Sequence, residues 1–200
     1  MPDAKDRQQP IIRYSADPKG ALSQAIRMAV KAHRGQARKL SGVPYIFHPF
    51  SVAKILIEYG CAEYVVVSGL LHDTVEDTSV TVEAIRQHFG NEVARIIESV
   101  SEPDKSQPWE ERKRHTVEGI KTHPMDVLLV ECADKLDNIR SLRTDYGRYG
   151  NAVWSAFKRP AKQQRWYYQS LKEAFLERVK GESDIGLFKE FAQEVEQLFG

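Results

Sequence analysis

Apolar residues in this chain recur at three-, four- and seven-residue intervals, and strict alternation hardly occurs. That spacing lines one face of a helix, whereas a strand would show a period of two. Leu22, Ile26, Ala29, Val30 and His33 mark a first such face. It follows Asp17-Pro18, which reads as an N-cap with proline at the first helical position. Gly42 and Pro44 break regular structure, Pro49 opens a second helix and Gly60 closes it. Residues 62 to 77 read as one buried helix, because YVVVSGLL is continuously apolar. Thr81 caps a short helix ending at Gly90, and Val93, Ile96, Ile97 and Val100 form a stripe beyond it. A polar loop between Pro103 and Pro108 precedes a charged helix from Trp109 to about Lys121. The run MDVLLVECADKLDNIRSLR reads as a long central helix, followed by irregular chain through Tyr146, Gly147, Tyr149 and Gly150. After Pro160 come an aromatic helix and a final amphipathic one carrying Leu187, Phe188, Phe191, Val195, Leu198 and Phe199. The pattern predicts an all-α fold of some seven to nine helices. With no repeat and no domain-scale linker, residues 1–200 are expected to form one domain, its C-terminal helices from residue 160 packed on the rest.

A net charge of +1 leaves no bulk electrostatic attraction to nucleic acid or a membrane surface, so any anion site must be a local cluster. The N-terminus MPDAKDRQQP is charged and lacks an apolar core, and no apolar run approaches the eighteen or so residues of a membrane span. A cytoplasmic protein is expected. Cys61 and Cys132 are far apart and form no CxxC, so both read as free buried thiols.

Chemistry concentrates in LLHDTVEDT, residues 70–78, where His72, Asp73, Glu76 and Asp77 follow directly on the buried run. On a helix, His72 stacks with Glu76 and Asp73 with Asp77, and all four fall within roughly 140° of arc. One imidazole and three carboxylates then share one space, which packing alone does not require. Two further residues are candidates to join them. His48 in YIFHP sits at a loop-to-helix junction, and Asp134 follows the apolar stretch VLLVECA. An isolated ionised carboxylate is costly to bury, so Asp134 either faces solvent or meets positive charge. If His48, His72, Asp73 and Asp134 converge, two imidazoles and two carboxylates suit Mn²⁺, Fe²⁺ or Zn²⁺. A buried ion-pair network is the competing reading of the same residues.

The order H … HD … D resembles the HD superfamily of metal-dependent phosphohydrolases. AHRGQARKLSGVPYIFHP, GLLHDTVEDT, IRQHFGNEVARII and ADKLDNIRSL, together spanning roughly residues 32–143, are similar to successive blocks of the (p)ppGpp hydrolase domain of RelA/SpoT-type proteins. The resemblance implies His48, His72, Asp73 and Asp134 as metal ligands, usually for Mn²⁺, with Glu76 and Asp77 as catalytic carboxylates. It implies attack on the 3′-pyrophosphate of a guanosine tetra- or pentaphosphate, with Arg38, Lys39 and Asn138 as nucleotide contacts. Lys162, with Lys158 and Arg159, is a further candidate for phosphate contact without a motif to place it. The chain ends at Gly200. That leaves no room for the synthetase domain often joined to such hydrolases, so a small free-standing hydrolase is expected.

Two departures from the family pattern bear on the substrate. ADKLDN stands where the family commonly has ADRLHN, placing Asp137 near the site, and SEPDKSQPWEER replaces a short VTK segment. Neither is expected to touch a metal ligand. WEERKRH reads as an exposed charged helix, Trp166-Tyr167-Tyr168 as packing, and His33 as structural; His88, His115 and His123 carry no signal. Three functions stay open on the sequence: a (p)ppGpp 3′-pyrophosphohydrolase, an HD hydrolase of another nucleotide, and a nucleotide sensor without turnover. A small nucleotide is the expected partner in each, and the sequence does not give the oligomeric state.

Overall fold

The computed structural model describes residues 17, 19–38, 41–102, 105–157, 159–183 and 186–200. In chain order the helices are α1 (Ala21–Ala32), α2 (Phe47–Glu58), α3 (Glu63–Leu71), α4 (Thr74–Asp77), α5 (Val82–Val100), α6 (Trp109–Ile120), α7 (Met125–Tyr149), α8 (Ala161–Arg178) and α9 (Gly186–Phe199). A 3-10 segment, Gly150–Ala156, links α7 to α8. Extended pairing among the described residues is limited to one antiparallel bridge between Ala37 and Pro44. The fold is all-α, as the periodicity predicts.

Local chemistry explains most helix ends. Gly60 adopts φ 67° after α2. The amide of Cys61 bonds Leu56 O at 3.0 Å and that of Gly60 bonds Ile57 O at 3.0 Å, the paired closure of a Schellman motif. The Thr81 hydroxyl accepts from Ala84 N at 3.2 Å and caps α5, which bends sharply at Gly90 with φ 88°. Three sequence expectations need correction. The helix expected over 62–77 is interrupted: α3 stops at Leu71, and Asp73 lies at φ −90°, ψ −7° before the single turn of α4. The chain expected to be irregular at Tyr146–Tyr149 continues α7, and only Gly150, at φ 54°, ends it. Gly147 is tolerated there because its neighbours keep the helical bonds. Finally, α2 starts before Pro49, at Phe47. Pro18 and Pro103 lie outside the described residues.

α3 is the helix around which the others assemble. Every residue from Val65 to Leu71 is buried, and α1, α2, α5 and α7 all pack against it. Its approach to α2 is close enough that a Cβ on Gly69 would lie 2.5 Å from Leu56 Cδ1. α7 in turn packs on α2, α3, α5 and α9. The C-terminal helices join this core through aromatic residues: the Phe175 ring lies 5.6 Å from Phe188 and 5.6 Å from Phe191. Cys61 and Cys132 are buried and form no disulfide among the described residues, as expected. Among the described residues no helix is long and apolar enough to cross a membrane.

Phe191 is fully buried where α8, α9 and α7 meet. Phe191→Ala is expected to cost about 3–5 kcal/mol, and urea unfolding followed by circular dichroism should still show one transition. Two transitions, with only one of them moved, would mean that α8 and α9 form a separate folding unit.

Candidate active site

Three pieces of backbone aim four side chains at one point. His48 stands in the first turn of α2, His72 and Asp73 in the break between α3 and α4, and Asp134 in the middle of α7. His48 Nε2 lies 3.1 Å from Asp134 Oδ1 and 3.5 Å from Asp73 Oδ2. His72 Nε2 lies 3.0 Å from Asp73 Oδ2 and 3.7 Å from Asp134 Oδ1. The ligand atoms of His48, His72 and Asp134 all fall within 4.8 Å of one another, and Asp73 adjoins both imidazoles. The interruption of the predicted helix matters here, because it turns both His72 and Asp73 toward α2 and α7.

The outer nitrogen of each imidazole is already committed. His72 Nδ1 faces Gly69 O at 2.8 Å, and His48 Nδ1 faces Asp137 Oδ2 at 2.7 Å. Those acceptors favour a proton on Nδ1, which leaves each Nε2 with a lone pair pointing inward. His72 Nε2 is buried and, despite its closeness to Asp73, has no well-aligned hydrogen bond among the described residues. The carboxylates have donors of their own. Asp73 Oδ2 accepts from Tyr45 Oη at 2.5 Å, while Asp134 accepts from Lys135 Nζ and Asn138 Nδ2, each at 2.5 Å.

The electrostatics of the protein alone call for positive charge at this point. Burial disfavours a charged His72, yet Asp73 and Asp134 override it and push its pKa up to about 9. Burial opposes protonation of His48 too, and Asp134 and Asp137 outweigh it. Burial pushes Asp73 up, but His72 and His48 hold it well below the usual carboxylate range. Asp134 is also held low, by Lys135 and the two imidazoles working against burial. A divalent cation supplies the same positive charge and uses the inward lone pairs directly. The donor set of imidazole nitrogens and carboxylate oxygens, with no thiolate, fits such an ion.

Glu76 and Asp77 line the same cavity of about 220 Å³ as the cluster, together with Glu102, Lys113, Lys135 and Asn138. A second, more apolar cavity of about 340 Å³ adjoins it, sharing Tyr45 and Asn138 and lined also by Arg38, Leu142, Phe157 and Tyr168. Arg38 and Asn138 are thus brought to the site. Lys39 and Lys158 lie outside the described residues. Lys162 is exposed on the first turn of α8 and lines neither cavity, and Arg159 pairs instead with Glu110 at 2.8 Å.

Both family departures reach the site. Asp137 was not expected to touch a ligand, yet its Oδ2 takes both His48 Nδ1 and Arg38 Nη2, the latter at 2.5 Å. The altered loop supplies Lys105, whose Nζ lies 2.8 Å from Asp77 Oδ1 and 3.2 Å from Glu76 Oε1. The helix expected to be merely exposed turns Lys113 into the cavity, 2.6 Å from Glu102. Tyr45 and Lys135 were also missed. Each stands within three residues of a candidate ligand, but spacing alone does not reveal which side chains back a ligand up. Tyr167 and Tyr168 are buried as expected, and His33 is buried against Gln36, 2.7 Å away.

The HD-domain family model matches residues 25–160. The chain belongs to the HD-domain family. An HD domain implies a bound divalent metal, and the His/Asp cluster is where this HD-domain chain fits one. It is 46% identical over 124 residues to the human guanosine-3′,5′-bis(diphosphate) 3′-pyrophosphohydrolase MESH1, covering 60% of this chain and 69% of that protein. A solved structure from Listeria monocytogenes EGD-e is 42% identical with a TM-score of 0.72, over 80% of this chain and 100% of that one. A solved metazoan orthologue of SpoT that hydrolyses ppGpp is 26% identical with a TM-score of 0.75, over 93% of this chain and 98% of that one.

Because Asp137 fixes the ring of His48, Asp137→Asn is expected to weaken divalent metal binding by about 10–100-fold, the usual effect of losing a ligand's own support. Calorimetric titration of the metal-stripped protein with Mn²⁺ checks this. An unchanged affinity would show that His48 is oriented by packing alone.

Proposed function

We propose that this chain is a metal-dependent hydrolase that removes the 3′-pyrophosphate of guanosine tetra- or pentaphosphate, giving pyrophosphate and GDP or GTP. The observation that carries the reading is the joining of two cavities, one acidic and cluster-lined, the other apolar and flanked by Arg38. A highly charged phosphate group and a nucleoside need those two environments side by side. Human MESH1, whose name states this activity, gives independent support through its 46% identity.

In this reading His48, His72, Asp73 and Asp134 hold the cation, which we take to be Mn²⁺; Fe²⁺ and Zn²⁺ suit the same donors. When bound, such a cation lowers the pKa of water and offsets charge growing on phosphoryl oxygens. The residues around it have separate tasks. Glu76 and Asp77 orient the attacking water and accept its proton as its oxygen bonds to phosphorus and the P–O3′ bond breaks, and that proton passes to the leaving O3′. Lys105, which bridges both carboxylates, orients them and fixes the loop above them. Lys113 and Lys135 face the cavity and offset the charge of the pyrophosphate. Arg38 and Asn138 contact the nucleotide, with Lys39 beside Arg38 in sequence; Lys162 has no place in this arrangement. The same reading treats the chain as one HD-type domain working on cytoplasmic nucleotides.

Glu76→Gln and Asp77→Asn are each expected to retain metal and nucleotide binding while losing about a hundredfold or more in turnover, the scale of general acid–base groups. The assay is pyrophosphate release from guanosine 3′,5′-bis(diphosphate) in the presence of Mn²⁺. Wild-type rates in both variants would move the proton-handling role elsewhere. Cleavage confined to a 5′-monophosphate or to the adenosine analogue would keep the hydrolase and reject the guanosine substrate.

A further inference from the structure

Asp145 sits in an awkward place for a carboxylate. It is buried to 7% exposure on α7 and lines the apolar cavity with Leu142, Phe157 and Tyr168. It stands one turn short of the C-terminus of α7, the helix end whose dipole disfavours negative charge. Among the described residues no hydrogen bond or ion pair satisfies it. Arg38 lines the same cavity, but its guanidinium is engaged by Asp137 at 2.5 Å. Arg148, on the following turn, borders an open groove with it but makes no ion pair to it among the described residues. A carboxylate that lines the cavity without a donor can accept hydrogen bonds from a ligand that brings them.

Helix register shows which end of a ligand this is. Asp134, Asn138, Ser141, Leu142 and Asp145 follow at intervals of four, three, one and three, so they share one face of α7. Asn138, Ser141, Leu142 and Asp145 all line the apolar cavity, and Asp134 lies in the acidic one. At 1.5 Å per residue the cluster and Asp145 stand about 16 Å apart along the helix. They mark opposite ends of one trough. With a phosphate group at the cluster, the base of a nucleotide lies at the Asp145 end, between the rings of Tyr168 and Phe157 and the side chain of Leu142.

We propose that Asp145 selects guanine by accepting hydrogen bonds from its N1–H and its exocyclic 2-amino group. This rests on the reading above, that the ligand is a nucleotide with its 3′ group at the cluster. Guanine presents those two donors side by side, and a carboxylate offers two coplanar acceptor oxygens. The bonds are charge-assisted, hence stronger than neutral ones. Adenine presents a lone pair at N1, which a carboxylate repels, and hypoxanthine keeps N1–H but lacks the amino group. A site built around such bonds rejects a base that cannot make them, because its buried acceptor is then left unpaired.

Calorimetry of GDP, IDP and ADP on the metal-loaded full chain tests the assignment without turnover. Wild type is expected to bind GDP at least about tenfold more tightly than ADP, with IDP between them. Asp145→Asn and Asp145→Leu should bring GDP down to the ADP level, with metal content and thermal unfolding midpoint unchanged in at least one of them. Equal binding of GDP and ADP by wild type would overturn the inference, as would a GDP preference that survives both substitutions. The substrate reading fails separately: wild type that leaves guanosine 3′,5′-bis(diphosphate) intact, while its GDP preference vanishes in the Asp145 variants, refutes the reaction and supports the role of Asp145.

Discussion

A buried and a half-buried aspartate facing two buried imidazoles are the constraint on which the rest of this structure depends. Asp73 and Asp134 come from different segments, the break after α3 and the middle of α7, and point at the same nitrogens of His48 and His72. Burying such charges costs several kcal/mol per ion unless something positive joins them. The chain supplies them with donors: Tyr45 on Asp73, Lys135 and Asn138 on Asp134. Gly69 O and Asp137 then take the far nitrogens of the rings. What is left unsatisfied lies at the centre, and it is shaped for a cation.

The fold serves this arrangement. α3 carries His72 and Asp73 just beyond its end, and its buried faces fix them against α2 and α7, which carry the other two candidate ligands. The close approach of Gly69 to Leu56 sets the distance between α2 and α3, and so between His48 and His72. Asp137 adds a link absent from the sequence pattern, because a single carboxylate oxygen joins a candidate metal ligand to Arg38. The His/Asp cluster and the Arg38 side of the apolar cavity are therefore connected through one residue of α7.

The helices were legible in the sequence because apolar periodicity and Gly or Pro punctuation are local signals. Gly60, Thr81 and Gly90 act where their chemistry says they should. The cluster was legible only through motif order, since nothing in the spacing of His48, His72 and Asp134 brings three distant segments together. What escaped has a common cause. The break after Leu71, the inward turn of Lys113 and the contacts of Asp137 and Lys105 are set by tertiary packing, which overrides local pattern. Asp145 belongs to no motif in the sequence, and only its place on an apolar cavity distinguishes it.

The claim that the cluster is a catalytic metal centre is tested most directly by titrating the metal-stripped protein with Mn²⁺ while following pyrophosphate release from guanosine 3′,5′-bis(diphosphate). The account predicts no release without metal and a rise in rate that saturates at about one ion per chain, as expected of a single two-His, two-Asp cluster. Full activity in protein shown by elemental analysis to be free of metal would contradict it.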